Sequence, residues 1–138
     1  MKAAISLLLS ILSLFTHVLR ADDKPAAGAA PAKTYRNVGV DEFDKLRAEK
    51  ANVVLDVRTA KEFAAGHIEN AINIDWNGSD FEKQVVALDK SKTYLVHCAG
   101  GVRSVKASDK LMGLKFKSVV NLEGGLKAWE KAGKPVIK

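Results

Sequence analysis

The chain has 138 residues, 47% of them hydrophobic, enough for one domain with a core of its own. Its formal charge of +6 is spread over lysines interleaved with acids, and no basic run alternates with aromatics, so a solvated surface is expected and no nucleic-acid interface. A single cysteine and three histidines exclude an internal disulfide and offer no zinc-binding spacing.

In chain order, residues 1–21 are expected to be a secretory signal peptide. Lys2 supplies a positive start, Ala3 to Phe15 is almost wholly apolar, and Ala21 offers a small residue at the cut. His17 and Arg20 interrupt the apolar run and leave it short for a membrane anchor, which needs about twenty residues. Export to a periplasm or the extracellular space is therefore expected, with no membrane attachment after cleavage. Cleavage would remove Lys2 and Arg20 and leave a net charge of +4. Residues 22–33 mix Ala, Pro, Gly and charge without apolar periodicity and are expected to be a flexible linker, which places the folded domain at 34–138.

Within that domain, Asp41 is a candidate N-cap for a helix over Val38 to Lys50, with Phe43 and Leu46 facing inward. Ala51 to Val57 is an apolar run that ends in Asp56 and Arg58, the pattern of a buried strand emptying into a loop. A short helix over Lys61 to Ala65, stopped by Gly66, and a short strand over Ala71 to Ile74 follow. Phe81, Val85 and Leu88 share one face of a helix over Phe81 to Leu88, and Thr93 to His97 is the next strand. A helix over Val102 to Met112 has Val102, Val105, Ala107 and Leu111 as its apolar stripe and Gly113 as its C-cap. A strand over Ser118 to Asn121, a sharp turn at Glu123-Gly124-Gly125 and a helix over Gly125 to Lys131, with Leu126 and Trp129 in the core, complete the chain. Strands alternating with helices, several strands apolar throughout, predict an α/β fold with an open, mostly parallel sheet and helices on both faces. Ligands bind such sheets beyond the carboxyl ends of the strands. Asp56, Arg58 and Cys98 all fall there.

Cys98 stands where a strand ends and a helix begins, followed by Ala99, Gly100 and Gly101, whose lack of bulk lets the backbone curl tightly. Free N–H groups of the first helical turn and the positive end of the helix dipole favour an anion there. An ordinary cysteine, with pKa about 8.5, is only a few per cent thiolate at pH 7, and a downward shift of about two units makes it mostly thiolate. Arg103 adds a permanent charge and a planar fork of donors at the lip of the loop. The competing expectation is a buried, inert cysteine. Asp56 and Arg58 are expected to support the loop as a structural pair, with Glu62 and Glu69 the nearest acids for Arg58. His67 is expected to fix its loop by hydrogen bonding. His97, adjacent to Cys98 on a strand, should face the opposite side of the sheet and pack there. Trp76 and the Asn77-Gly78-Ser79-Asp80 turn are candidates for the border of the pocket mouth.

Three stretches carry a family resemblance: LDVRTAKEFAAGHIENAINI (Leu55 to Ile74), YLVHCAGGVRS (Tyr94 to Ser104) and VVNLEGGLKAWEKAGKPV (Val119 to Val136). In order and separation they resemble the single-domain rhodanese family. The resemblance implies a rhodanese-like fold and a sulfurtransferase. Cys98 would take a sulfane sulfur from a donor such as thiosulfate or a persulfide and pass it to a thiophilic acceptor such as cyanide or a thiol. It also implies that the amides of Ala99, Gly100, Gly101, Val102, Arg103 and Ser104 cradle an anionic persulfide, with Arg103 binding the donor. No metal or organic cofactor is implied, because the intermediate is covalent. The thiolate is expected to be open to water and to work by double displacement.

The six residues from Cys98 through Arg103 resemble the sulfurtransferase loop, whereas related phosphatases use one residue more. The loop body, Ala99 to Val102, has no cation before Arg103, which argues against thiosulfate as the physiological donor. The alternative is a catalytically inactive module that uses the loop to bind an anion or a protein partner. A thiol oxidoreductase would need a partner thiol, since no second cysteine exists.

Overall fold

Apolar strands and amphipathic helices alternate through the computed structural model, which describes residues 34–138. The expected signal peptide (1–21) and linker (22–33) lie outside the described residues. The elements are β1 (Arg36–Val38), α1 (Val40–Arg47), β2 (Val53–Asp56), α2 (Ala60–Ala65), β3 (Ile72–Asn73), α3 (Phe81–Val86), β4 (Thr93–His97), α4 (Val102–Gly113), β5 (Ser118–Leu122) and α5 (Gly125–Lys131). The strands form one sheet in the order β1-β5-β4-β2-β3, and every pair is parallel. The expected α/β architecture is therefore present.

Two apolar layers hold the helices to the sheet. Phe81 and Val85 of α3 and Ala107 and Leu111 of α4 pack with Tyr94, Val96 and Cys98 on one face. Phe43 of α1 and Leu126 and Trp129 of α5 pack with Leu95 and Val120 on the other. Alternate β4 residues thus enter opposite layers, as a strand of period two requires. Each fully buried aromatic or aliphatic side chain of this kind contributes about 1.5–3 kcal/mol.

The sheet sets the carboxyl ends of β2 and β4 side by side, with Asp56 opposite His97. The Val57 N–H donates to the His97 carbonyl at 3.0 Å, so the Asp56–Arg58 segment and the Cys98 loop leave the sheet together.

Four local expectations change. β1 has no counterpart among the expected strands. Two of its three residues are exposed, too short a pattern for periodicity to register, and it exists by pairing with β5. α1 begins after Gly39, and Asp41 lies inside its first turn with Glu42, where negative charge suits the helix dipole. α4 turns Ser104, Ala107, Ser108 and Leu111 inward and leaves Val102 70% exposed. These four residues keep the i, i+3, i+4, i+7 spacing, and their small side chains let the helix lie close to the sheet. Gly113 is the last residue of α4, and Leu114 caps it.

Candidate active site

Cys98 follows the last residue of β4, and its side chain turns under the loop, 1% exposed. The open thiolate expected from the sequence is corrected to a sulfur enclosed by its own backbone. The Gly101 N–H donates to Sγ at 3.1 Å, and the Ser104 Oγ lies 3.4 Å from Sγ. Gly101 sits at φ 111°, a left-handed conformation that costs a side-chain-bearing residue energy but costs glycine nothing. That reversal carries the chain into α4 while aiming its N–H back at the sulfur.

The outside of the loop is held by the start of α5. The Leu126 N–H donates to the Cys98 carbonyl at 2.8 Å and the Lys127 N–H to the Ala99 carbonyl at 3.0 Å. With these carbonyls bound outward, the following amides face inward. Gly125 makes the approach possible. A Cβ there would come within 2.6 Å of the Cys98 carbonyl oxygen and 2.7 Å of the Ala99 carbonyl, at a φ of 61°. Sequence reasoning assigned the Gly124-Gly125 pair only a turn. A second glycine, one more than a turn requires, was the signal of a close contact.

The electrostatics of Cys98 reflect two opposed effects. Burial pushes the thiol pKa up, but the Ser104 hydroxyl and the amides of Ser104, Gly101 and Gly100 outweigh it and hold the thiol below its ordinary value. The Ser104 hydroxyl also lies 3.1 Å from the Gly101 carbonyl, so its proton can turn from that oxygen to the sulfur when the sulfur ionises.

Arg103, expected to offer its fork to a bound anion, has that fork filled by Glu62. Nη1 donates to Oε2 at 2.8 Å and Nη2 to Oε1 at 2.9 Å. Glu62 is itself fixed by the N-terminal capping box of α2, accepting from the Thr59 N–H at 2.9 Å and the Thr59 hydroxyl at 3.0 Å. Hydrogen bonding from Arg103, aided by Thr59 against the opposing effect of burial, holds the Glu62 carboxyl at about 2. Glu62 therefore remains an anion at physiological pH and balances the one cation of the loop. It was assigned to Arg58 from the sequence, and the structure corrects this.

Arg58 instead pairs with Asp56. Its Nε donates to both Asp56 carboxylate oxygens at 3.0 Å, its Nη2 to Oδ2 at 2.7 Å and to the Gly66 carbonyl at 2.7 Å, and its Nη1 to the Glu62 carbonyl at 3.3 Å. Both side chains are buried, and the pair ties the end of β2 to α2. His97 lies on the far face from Cys98, edge-on to Phe43, with Nε2 3.6 Å from Asp56 Oδ2. Burial lowers its pKa, against the opposing pull of the Asp56 carboxylate. The His67 ring stacks on Phe63, its Nδ1 lies 2.9 Å from the Phe63 carbonyl, and its backbone exchanges hydrogen bonds with Ile137. Trp76 packs edge-on against Phe81 in the α3/α4 layer. Among the described residues, no group of three or more His, Cys, Asp or Glu is placed to hold a metal, and no helix is long and apolar enough to cross a membrane.

Comparison with known proteins gives this geometry a family. The profile of the Rhodanese-like domain matches residues 39–132. The chain is similar to YtwF, a candidate sulfurtransferase of Bacillus subtilis, at 37% identity over 92 residues, covering 67% of this chain and 86% of YtwF. It is also similar to a tRNA uridine(34) hydroxylase of Buchnera aphidicola, at 32% identity over 115 residues. That match covers 73% of this chain and 35% of the hydroxylase, so the chain spans about a third of the length of such relatives. A crystal structure of a rhodanese-related protein from Thermoplasma volcanium shares the fold with a TM-score of 0.67 and 36% identity, covering 75% of this chain and 98% of that one. The matched segment contains four of the five strands of the parallel sheet, the Cys98 loop and the glycine pair that braces it, and the chain belongs to the Rhodanese-like domain family.

Proposed function

We propose that this protein is a sulfurtransferase that carries sulfane sulfur as a persulfide on Cys98. The observation that supports it most is the Cys98 sulfur held below its ordinary pKa while buried, by donors that converge on it from its own loop. Such donors stabilise an anion wherever it lies in the cradle, so they serve the thiolate and the terminal persulfide sulfur alike. In the loading step the Cys98 thiolate attacks the outer sulfur of the donor. The donor's sulfur–sulfur bond breaks, and its electron pair leaves with the donor fragment, a thiolate or sulfite. In the unloading step a nucleophilic acceptor attacks the terminal sulfur, the persulfide bond breaks, and its electron pair returns to Cys98. Each half is a displacement in which free and loaded enzyme alternate, and the relay as written requires no metal or organic cofactor.

The Glu62–Arg103 pair bears on the donor. An anion already occupying the Arg103 fork leaves the lip with little net attraction for doubly charged thiosulfate, which favours a persulfide as the physiological donor. Export through the leader-like residues 1–21 remains part of the proposal and is tested by N-terminal sequencing of the protein recovered from its native compartment.

Intact-mass measurement tests the relay. The reduced protein should gain one sulfur atom on treatment with a persulfide donor and lose it on adding cyanide, and Cys98→Ser should gain none. A folded, reduced protein that gains no sulfur from either a persulfide or thiosulfate would overturn the relay in favour of an inactive binding module.

A further inference from the structure

His97 ends β4 immediately before Cys98, and its ring is completely buried, edge-on to Phe43 of α1 at a centroid distance of 6.3 Å. An apolar side chain would fill that place without the cost of burying a polar ring. Both ring nitrogens face acceptors. Nδ1 lies 3.2 Å from the Cys98 carbonyl oxygen, and Nε2 lies 3.6 Å from Oδ2 of Asp56, the register partner of His97 on β2.

The two contacts are not equivalent. A separation of 3.6 Å is too long for a hydrogen bond, and both Asp56 oxygens already accept from Arg58. Nε2 accordingly has no hydrogen-bond partner among the described residues. The hydrogen bond left to the ring runs from Nδ1 to the Cys98 carbonyl, and an acceptor facing Nδ1 requires the proton on that nitrogen.

That carbonyl governs the first amide of the loop. It also accepts the Leu126 N–H at 2.8 Å, so donors from two separate elements fix its direction. The Cys98–Ala99 peptide bond is trans, and the Ala99 N–H therefore points opposite to the held carbonyl. Two donors on a carbonyl also draw electrons through the peptide group and strengthen its N–H as a donor. The Ala99 N–H makes no hydrogen bond among the described residues. Nor is it among the groups that hold the Cys98 thiol below its ordinary value, which belong to Ser104, Gly101 and Gly100.

We propose that His97 is a positioning residue of the sulfur relay: through the Cys98 carbonyl, its Nδ1–H orients and polarises the Ala99 N–H that receives the terminal sulfur of the persulfide. The inference rests on the relay and divides its donors into two sets. Ser104, Gly101 and Gly100 hold the thiolate, and Ala99, set by His97 from the opposite face of the sheet, holds the sulfur that the thiolate acquires.

The proton is read first, without any sulfur present. In protein with 15N-labelled imidazole rings, His97 should carry a proton on Nδ1 at neutral pH, and a bare Nδ1 would overturn the proposal. Two variants then read the effect. His97→Phe keeps a ring against Phe43 and removes the donor, whereas His97→Asn places an amide near the position of Nδ1. Loading by a persulfide donor, followed by intact mass after rapid quenching, should slow about three- to tenfold in His97→Phe, the range one hydrogen bond supports. Loading should recover in His97→Asn. The pH midpoint of iodoacetamide alkylation should stay at its wild-type place in both variants, because the thiolate has its own donors. Equal slowing in both variants, an unchanged rate in His97→Phe, or a midpoint that moves with the rate would each overturn the role, the last by showing that the whole loop has loosened. Wild-type protein that carries the Nδ1 proton and gains no sulfur would overturn the relay, whereas normal loading with a bare Nδ1 would overturn the part given to His97 alone.

Discussion

At Cys98 the deciding quantity is the balance between burial and hydrogen bonding. Burial alone would make the thiol inert, and three loop amides with one hydroxyl reverse that effect. Ser104→Ala removes the hydroxyl and leaves the amides, so the midpoint of iodoacetamide alkylation against pH should move upward. An unmoved midpoint would assign the whole effect to the backbone. At Glu62 the chemistry is one of cancelled charge. Glu62→Gln should leave Arg103 free to draw anions and raise kcat/KM for thiosulfate about two- to fivefold, as befits a solvent-screened pair. Added salt should shrink that gain. The same substitution has a signature in acid. The carboxyl of Glu62 is held at about 2 against an ordinary value of 4.5, so the stability it contributes is complete above 4.5 and is lost as pH falls from there through about 2. Urea midpoints of Glu62→Gln should therefore decline less across that window than those of the wild type.

Between elements, the start of α5 acts as the brace of the loop that follows β4. Two α5 amides hold the Cys98 and Ala99 carbonyls, and Gly125 supplies the space. Gly125→Ala should cost about 1–3 kcal/mol in stability from its left-handed backbone and the clash. It should reduce alkylation and sulfur transfer far more than that loss explains, because the inward amides lose their aim. Tm and alkylation rate measured together separate the two effects, and a variant that loses Tm but keeps its rate would remove the brace from the mechanism. α4 shows the same dependence on neighbours. Its valines are the more apolar residues, yet Ser104 and Ser108 face inward, because α4 lies close to the sheet and Ser104 approaches the sulfur.

Across the whole domain, the buried Asp56–Arg58 pair sits where β2 empties toward α2, with every Arg58 nitrogen hydrogen-bonded. Arg58→Ala would leave the buried Asp56 carboxylate without its partner and should cost about 3–5 kcal/mol, read as a lower urea midpoint of a single cooperative transition. An unchanged midpoint would show that water replaces the guanidinium at no cost. Local pattern was enough to specify the alternation of strands and helices, the two-sided parallel sheet, the inward Phe43 and Trp129, and the place of Cys98 at a strand end. Those features follow from residue periodicity and turn chemistry within about ten residues of chain. Even His97 facing away from Cys98 follows from the two-residue period of a strand. What no local pattern contains is the meeting of separate elements. Glu62 and Arg103 are 41 positions apart, and their pairing depends on how α2 and α4 come to lie beside each other. The amides of Leu126 and Lys127 reach the Cys98 loop only because β5 lies next to β4. β1 is a strand only because β5 offers it an edge. The sequence by itself determined where the cysteine would stand, at the junction of a strand and a helix. Tertiary structure alone decided how deeply that sulfur is buried and how its loop is braced, since both depend on distances between segments remote along the chain.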